Sequence, residues 1–283
     1  MARNGSYGQT ARALLRATHP EPAAAVTAVA GLLALAAGHD PLDAALVAAT
    51  VAASQLAVGW TNDAVDAGRD AAVGRPGKPI VAGDLSRRTV AVAAGIAAVV
   101  TPLLALRFGW AATGVAVLGL MSALAYNWPL KRTALSPLPY AVSFAALPGF
   151  VVLALPATPP LWLLAAGGLL GAGAHFANVL PDLADDAATG VCGLPHRLGG
   201  GGSALAAAGL LLAATVVLVA FAAGLPGWLR LVALLVTATA LVAGWYAGRV
   251  EVATGRRPTA LFRAFILVAL VDVGLLLAGG RVL

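Results

Sequence analysis

Apolar runs of about 20 residues, the length that crosses a bilayer core, recur along the whole chain. Nine can be placed, with cores at 23–38, 42–60, 88–106, 109–126, 138–155, 160–178, 203–223, 228–247 and 261–279. The first is short, and its ends are the least sharply marked. Polar residues are confined to brief segments between the runs. The pattern predicts an all-α membrane protein, one integral membrane unit over 1–283, with no soluble domain left once the spans are removed.

Composition agrees. Only 11% of the residues are charged, against about 25% in soluble domains, and the mean hydropathy is +0.89. Glycine, at 33 of 283 residues, and alanine are abundant, as expected where membrane helices must approach closely. The lone Cys192 excludes an internal disulfide. The N-terminal stretch, basic at Arg3, Arg12 and Arg16 and apolar from Ala23, has the outline of a signal peptide. With many spans behind it, it reads as the approach to a first transmembrane helix.

The basic residues sort by side. All but Arg107, Arg230 and Arg281 of the 18 fall at the N-terminus or in the loops after spans two, four, six and eight. The positive-inside rule places those segments in the cytoplasm of a multi-pass protein of the cell (inner) membrane. The sequence pI near 10.2 follows from this bias. Anionic lipid headgroups satisfy it, and neither a nucleic acid nor an obligate protein partner is called for.

Against this apolar background, two acidic clusters of similar shape stand out. The first is Asn62-Asp63-x-x-Asp66-x-x-x-Asp70; the second is Asn178-x-x-x-Asp182-x-x-Asp185-Asp186. They end spans two and six. Four crossings, spans three to six, separate them, so both return to one face of the membrane. Residues at i, i+4 and i+8 share a helix face, so Asn62, Asp66 and Asp70 align, as do Asn178, Asp182 and Asp186. Asp63 and Asp185 lie beside those columns, and Pro181 loosens or ends the second helix. Like charges repeated at helical spacing repel unless a cation sits among them. Mg²⁺ suits such groups, because it takes one or two carboxylates and completes its shell with water and phosphate.

A diphosphate also needs cations, and the same face supplies three sets. Arg75 and Lys78 lie in the Pro- and Gly-rich loop after the first cluster, Lys131 and Arg132 follow span four, and His196 and Arg197 follow the second cluster. Inside-positive loops carry such residues anyway; Lys131 and Lys78, in Pro-restrained segments, are the preferred pair.

At this point the residues resemble a known family. NDAVDAGRD over Asn62 to Asp70, DLADD over Asp182 to Asp186 with Gly190 and Leu194-Pro195 after it, YNWPLKR between them, and nine spans are similar to the UbiA superfamily of intramembrane prenyltransferases, across essentially the whole length. The resemblance implies about nine transmembrane helices around a central cavity with cytoplasmic cap loops, and an isoprenoid diphosphate held there by Mg²⁺. It implies that Asp66, Asp70, Asp182 and Asp186 hold the metal, supported by Asn62 and Asn178, with Asp63 and Asp185 as auxiliary acids. Lys131 would grip the diphosphate. Lys78 stands where the family often has Arg, and a lysine lacks the bidentate fork. Tyr126 matches the family's Tyr ahead of the basic pair, where it would steady an allylic cation or the diphosphate, or serve as an interfacial anchor.

The reaction so implied is transfer of a prenyl group to a small acceptor, most commonly an aromatic ring, through an allylic carbocation. Trp128, Tyr140 and Phe144 are candidate walls. A UbiA-type terpene cyclase would use the same ionising groups without an acceptor. A cation-coupled transporter is the alternative from another class, disfavoured because the acids sit at span ends and not near mid-membrane. His175 reads as a packed, hydrogen-bonded residue before an acceptor-side base, and Asp272, alone in span nine, has no assigned role. Cys192 and His196 lack the neighbours of a zinc site.

Overall fold

The computed structural model describes residues 7–18, 20–72, 74–256 and 259–279; the side chains of Tyr7, Ala184, Asp185 and Leu261 lie outside that description. Arg3, Arg257 and Arg281 of the charge bias, and the Asp185 side chain, therefore fall outside the described residues. The structure is all-helical: α1 (Tyr7–Ala17), α2 (Pro20–Ala37), α3 (Pro41–Ala72), α4 (Arg87–Ala105), α5 (Trp110–Asn127), α6 (Pro137–Leu153), α7 (Leu161–Val179), α8 (Leu183–Ala188), α9 (Leu194–Phe221), α10 (Gly227–Ala253) and α11 (Ala260–Ala278). Each predicted span corresponds to one long helix. Among the described residues, seven helical segments are long and apolar enough to cross a bilayer unaided, and α6 is apolar but shorter. Two helices were not expected: the amphipathic α1 and the six-residue α8.

The long helices neighbour one another in chain order from α2 to α7, then through α9, α10 and α11, and α11 returns to α2. At the end carrying the α2–α3 and α6–α7 turns, the interior is closed by a plug of Leu33, Val47, Val51, Phe150, Val152 and Leu163. The opposite end carries the motif loops. Large apolar side chains such as Val92, Ile96, Val99 and Leu103 on α4 face outward, as expected of a helix against lipid.

Two features of helix length and contact place the site. At 1.5 Å per residue, the 32 residues of α3 reach about 48 Å, well beyond a hydrocarbon core of about 30 Å. Its last turns, Asn62 to Asp70, thus extend out of the apolar layer. Between α6 and α7 the glycines Gly167 and Gly171 remove side chains from the seam. A Cβ on Gly167 would stand 2.6 Å from the Phe144 carbonyl oxygen, and one on Gly171 would meet the Tyr140 carbonyl and the Phe144 side chain. That close approach sets Tyr140 beside His175, with Phe144 stacked on Tyr140.

Candidate active site

α7 stops at Val179, and Leu180–Asp182 forms a 3₁₀ turn before α8. Pro181 has no N–H and crowds the preceding turn, which accounts for the break. This corrects the expectation of one continuous column through Asn178, Asp182 and Asp186, which holds only for the first motif. The second motif bends over the end of α3. Gly190, with φ of 76°, then turns the chain out of α8, a left-handed conformation that a side chain would strain.

The two motifs meet through arginines. Arg69, on α3, lies 3.6 Å from Asp66 Oδ2 and 3.4 Å from Asp186 Oδ1. Arg75 lies 3.8 Å from Asp70 Oδ1 and 3.9 Å from Asp182 Oδ1. Lys131, on a 3₁₀ turn after α5, donates to both oxygens of Asp66 at 2.5 and 2.7 Å. Asn62 donates to Asp66 Oδ2 at 3.2 Å and to the Asn127 side-chain oxygen at 3.3 Å, while Asn127 donates to the Val58 carbonyl. His196 Nε2 stands 3.6 Å from Asp186 Oδ2. Burial lowers the Lys131 pKa, partly opposed by its bond to Asp66. Burial likewise raises the Asp186 pKa, opposed by Arg69 and reinforced by Asp182.

Beneath these charges lies a cavity of about 360 Å³. Asn62, Asp66, Arg69, Tyr126, Lys131, Asn178, Asp182 and Asp186 all line it. Its deeper walls are Val26, Val58, Tyr140, Phe144 and Leu147, and Thr18 at the end of α1 borders it. Tyr126 meets Tyr140 edge to face at 4.9 Å and His175 at 5.4 Å. His175 is buried and shares a hydrogen bond with Ser136 Oγ at 3.0 Å, which also accepts from the Leu194 N–H. Ser136 so ties the loop bearing Lys131 to the start of α9.

Other residues named from the sequence lie elsewhere. Asp63 and Asp70 are buried but do not line the cavity. Lys78, one of the preferred diphosphate pair, instead donates to Asp63 at 2.5 Å. Arg132 is exposed on the outer side of its turn, and Trp128 is 68% exposed, so neither borders the cavity. Both placements have one cause: the short turn that buries Lys131 points its neighbours outward. Asp272 is fully buried on α11 and does not line the cavity. Arg69, Ser136 and Asn127 were not singled out from the sequence. For Arg69 a signal existed, since it sits three residues after Asp66 on the same helical face.

The donor set suits a hard divalent cation. Its groups are carboxylate and amide oxygens, and Asp70 Oδ1 is buried without a hydrogen-bond partner. Among the described residues no three acidic, imidazole or thiol groups form a ready cage.

Comparison with known proteins identifies the family. A family profile described as the UbiA prenyltransferase family matches residues 24–270. The chain belongs to that family. It is a multi-pass membrane enzyme of the UbiA fold. Among curated proteins none matches. A UbiA homolog from Aeropyrum pernix K1 is 21% identical with a TM-score of 0.71, over 88% of this chain and 94% of that one. A UbiA homolog from Archaeoglobus fulgidus, solved bound to GPP and Mg²⁺, is 13% identical with a TM-score of 0.70, over 94% and 99%. A structure described as digeranylgeranylglyceryl phosphate synthase is 18% identical with a TM-score of 0.69, over 97% and 99%. At these identities the likeness establishes the shared UbiA fold.

Proposed function

We propose that this UbiA enzyme transfers a prenyl group from an isoprenoid diphosphate to a small, electron-rich aromatic acceptor, with Mg²⁺, at the cytoplasmic face. The observation that carries this reading is the convergence of Asp66, Asp182 and Asp186 with Lys131 and Arg69 over a cavity whose deeper walls are apolar and aromatic. The basic residues near that end support its cytoplasmic orientation.

Asp66, Asp70, Asp182 and Asp186 would hold the metal, with Asn62 and Asn178 in support and Asp63 and Asp185 as outlying acids. Bound Mg²⁺ supplies positive charge beside the leaving diphosphate. Lys131 and Arg75 add cationic charge where negative charge develops. Lys78 and Arg132, turned elsewhere, contribute at longer range. The C1–O bond electrons leave with the diphosphate, and the faces of Tyr126, Tyr140 and Phe144 stabilise the allylic cation. Val26, Val58 and Leu147 keep water from C1. A ring carbon of the acceptor then donates its π electrons to C1, and the ring proton passes to the released diphosphate.

The test is to supply the full-length protein in nanodiscs with a radiolabelled prenyl diphosphate and Mg²⁺, with and without an aromatic acceptor. Prenylated acceptor and released pyrophosphate, both requiring the acceptor, support the transferase. A cyclised hydrocarbon or alcohol formed without acceptor contradicts it in favour of a cyclase.

A further inference from the structure

Arg69 occupies a position that a metal-binding motif alone does not explain. Its guanidinium reaches carboxylates of both motifs, Asp66 at 3.6 Å and Asp186 at 3.4 Å. Six residues on, Arg75 spans Asp70 and Asp182 in the same way. Each arginine therefore bridges one acid from α3 and one from the second motif. Arg69 also lines the cavity beside Lys131, which already holds Asp66 through two short bonds. The inner pair of acids thus carries its counter-charge before any ligand arrives.

This arrangement has a consequence for binding order. A divalent cation approaching Asp66 and Asp186 meets the positive charges of Arg69 and Lys131 close by, and like charges in a partly buried site repel strongly. A diphosphate brings several negative charges, and a guanidinium presents its planar fork to phosphate oxygens as readily as to carboxylates. Resting on the prenyl-diphosphate reading above, we propose that Arg69 is a counter-ion latch. It joins the two motifs in the free enzyme, and on substrate binding it releases Asp66 and Asp186 and turns to the diphosphate. Metal and diphosphate then bind with positive coupling: each removes the charge that opposes the other. A weak affinity for metal alone keeps the motifs closed on arginine until substrate arrives.

The test is isothermal titration of the full-length protein in nanodiscs with Mg²⁺, in the absence and presence of inorganic pyrophosphate, for wild type and Arg69→Gln. Wild type is expected to bind Mg²⁺ about tenfold or more tightly with pyrophosphate present, within the usual range of coupling between sites. Arg69→Gln is expected to bind Mg²⁺ alone more tightly than wild type and pyrophosphate more weakly, with the coupling reduced to about twofold. Wild-type values for Mg²⁺ alone and for the coupling in Arg69→Gln overturn the latch while leaving the prenyl-diphosphate reading intact. A wild type that binds neither Mg²⁺ nor pyrophosphate overturns that reading, and the latch with it. Should Arg69→Gln fail to fold, Arg69→Lys decides. Its single ammonium cannot fork between two acids, so tighter Mg²⁺ binding with intermediate coupling supports the latch, and unchanged values overturn it.

Discussion

Lys131 and Asp66 form a buried ion pair across 65 residues of chain, with the lysine nitrogen 2.5 and 2.7 Å from the two carboxylate oxygens. The pair pins the turn after α5 against the end of α3, so the loop that borders the cavity and the first motif move as one. Its removal should therefore be felt in stability as well as in chemistry. Lys131→Met leaves Asp66 buried without its nearest cation, a loss of about 3–5 kcal/mol when one partner of such a pair is deleted. The melting temperature in detergent should fall clearly. An unchanged melting temperature contradicts the structural role of the pair.

Asp66 and Asp182 are expected to part company under substitution. The side chain of Asp182 is 40% exposed and that of Asp66 only 5%. Asp182→Ala should leave thermal stability close to wild type while lowering turnover by about a hundredfold or more, the scale of losing one group that stabilises developing charge. Asp66→Ala should lower both, because it also strands Lys131. Equal stability of the two variants counts against this distinction.

Turnover should rise with pH above the ordinary carboxylate range. Burial raises the Asp186 pKa, opposed by Arg69 and reinforced by Asp182. The acid thus keeps its proton to higher pH than a free carboxylate, and only the ionised form binds metal. On acidification, activity at fixed Mg²⁺ should fall as Asp186 takes up its proton, and additional Mg²⁺ should shift the limb to lower pH. EDTA should stop product formation at any pH and Mg²⁺ restore it. A limb that ignores the Mg²⁺ concentration rules out Asp186 as its source.

Gly171→Leu should disable the enzyme from outside the charged cluster. The side chain would meet the Tyr140 carbonyl and Phe144, driving α6 from α7. Overpacking of this kind costs about 1–3 kcal/mol, and the displacement moves two aromatic walls of the cavity. A lower melting temperature together with lost turnover is expected; wild-type behaviour in both refutes the close seam.

Much of this was legible in the sequence, and the exceptions share a cause. Span length read from apolar runs located nine long helices among the described residues, because the bilayer sets that length and little else competes. Crossing parity placed both motifs on one face, where Arg75 does lie between Asp70 and Asp182. Helical spacing shows which residues share a face but not which partner a long side chain chooses. Lys78 therefore turned out to hold Asp63, and Arg69 escaped notice although it touches both motifs. Local turns escaped too: Pro181 replaces the second column by a bend, and the turn after α5 sends Trp128 and Arg132 outward. The amphipathic α1 is short and polar, so no apolar run marked it, yet Trp60 donates to its Leu14 carbonyl and Thr18 reaches the cavity.

The central claim is that the two motifs share one metal-held diphosphate. Electron paramagnetic resonance of Mn²⁺ added with pyrophosphate to the full-length protein tests it most directly. The account predicts phosphorus hyperfine coupling on protein-bound Mn²⁺, lost or sharply weakened in both Asp66→Asn and Asp182→Asn. A bound-Mn²⁺ signal that survives either substitution unchanged would contradict it.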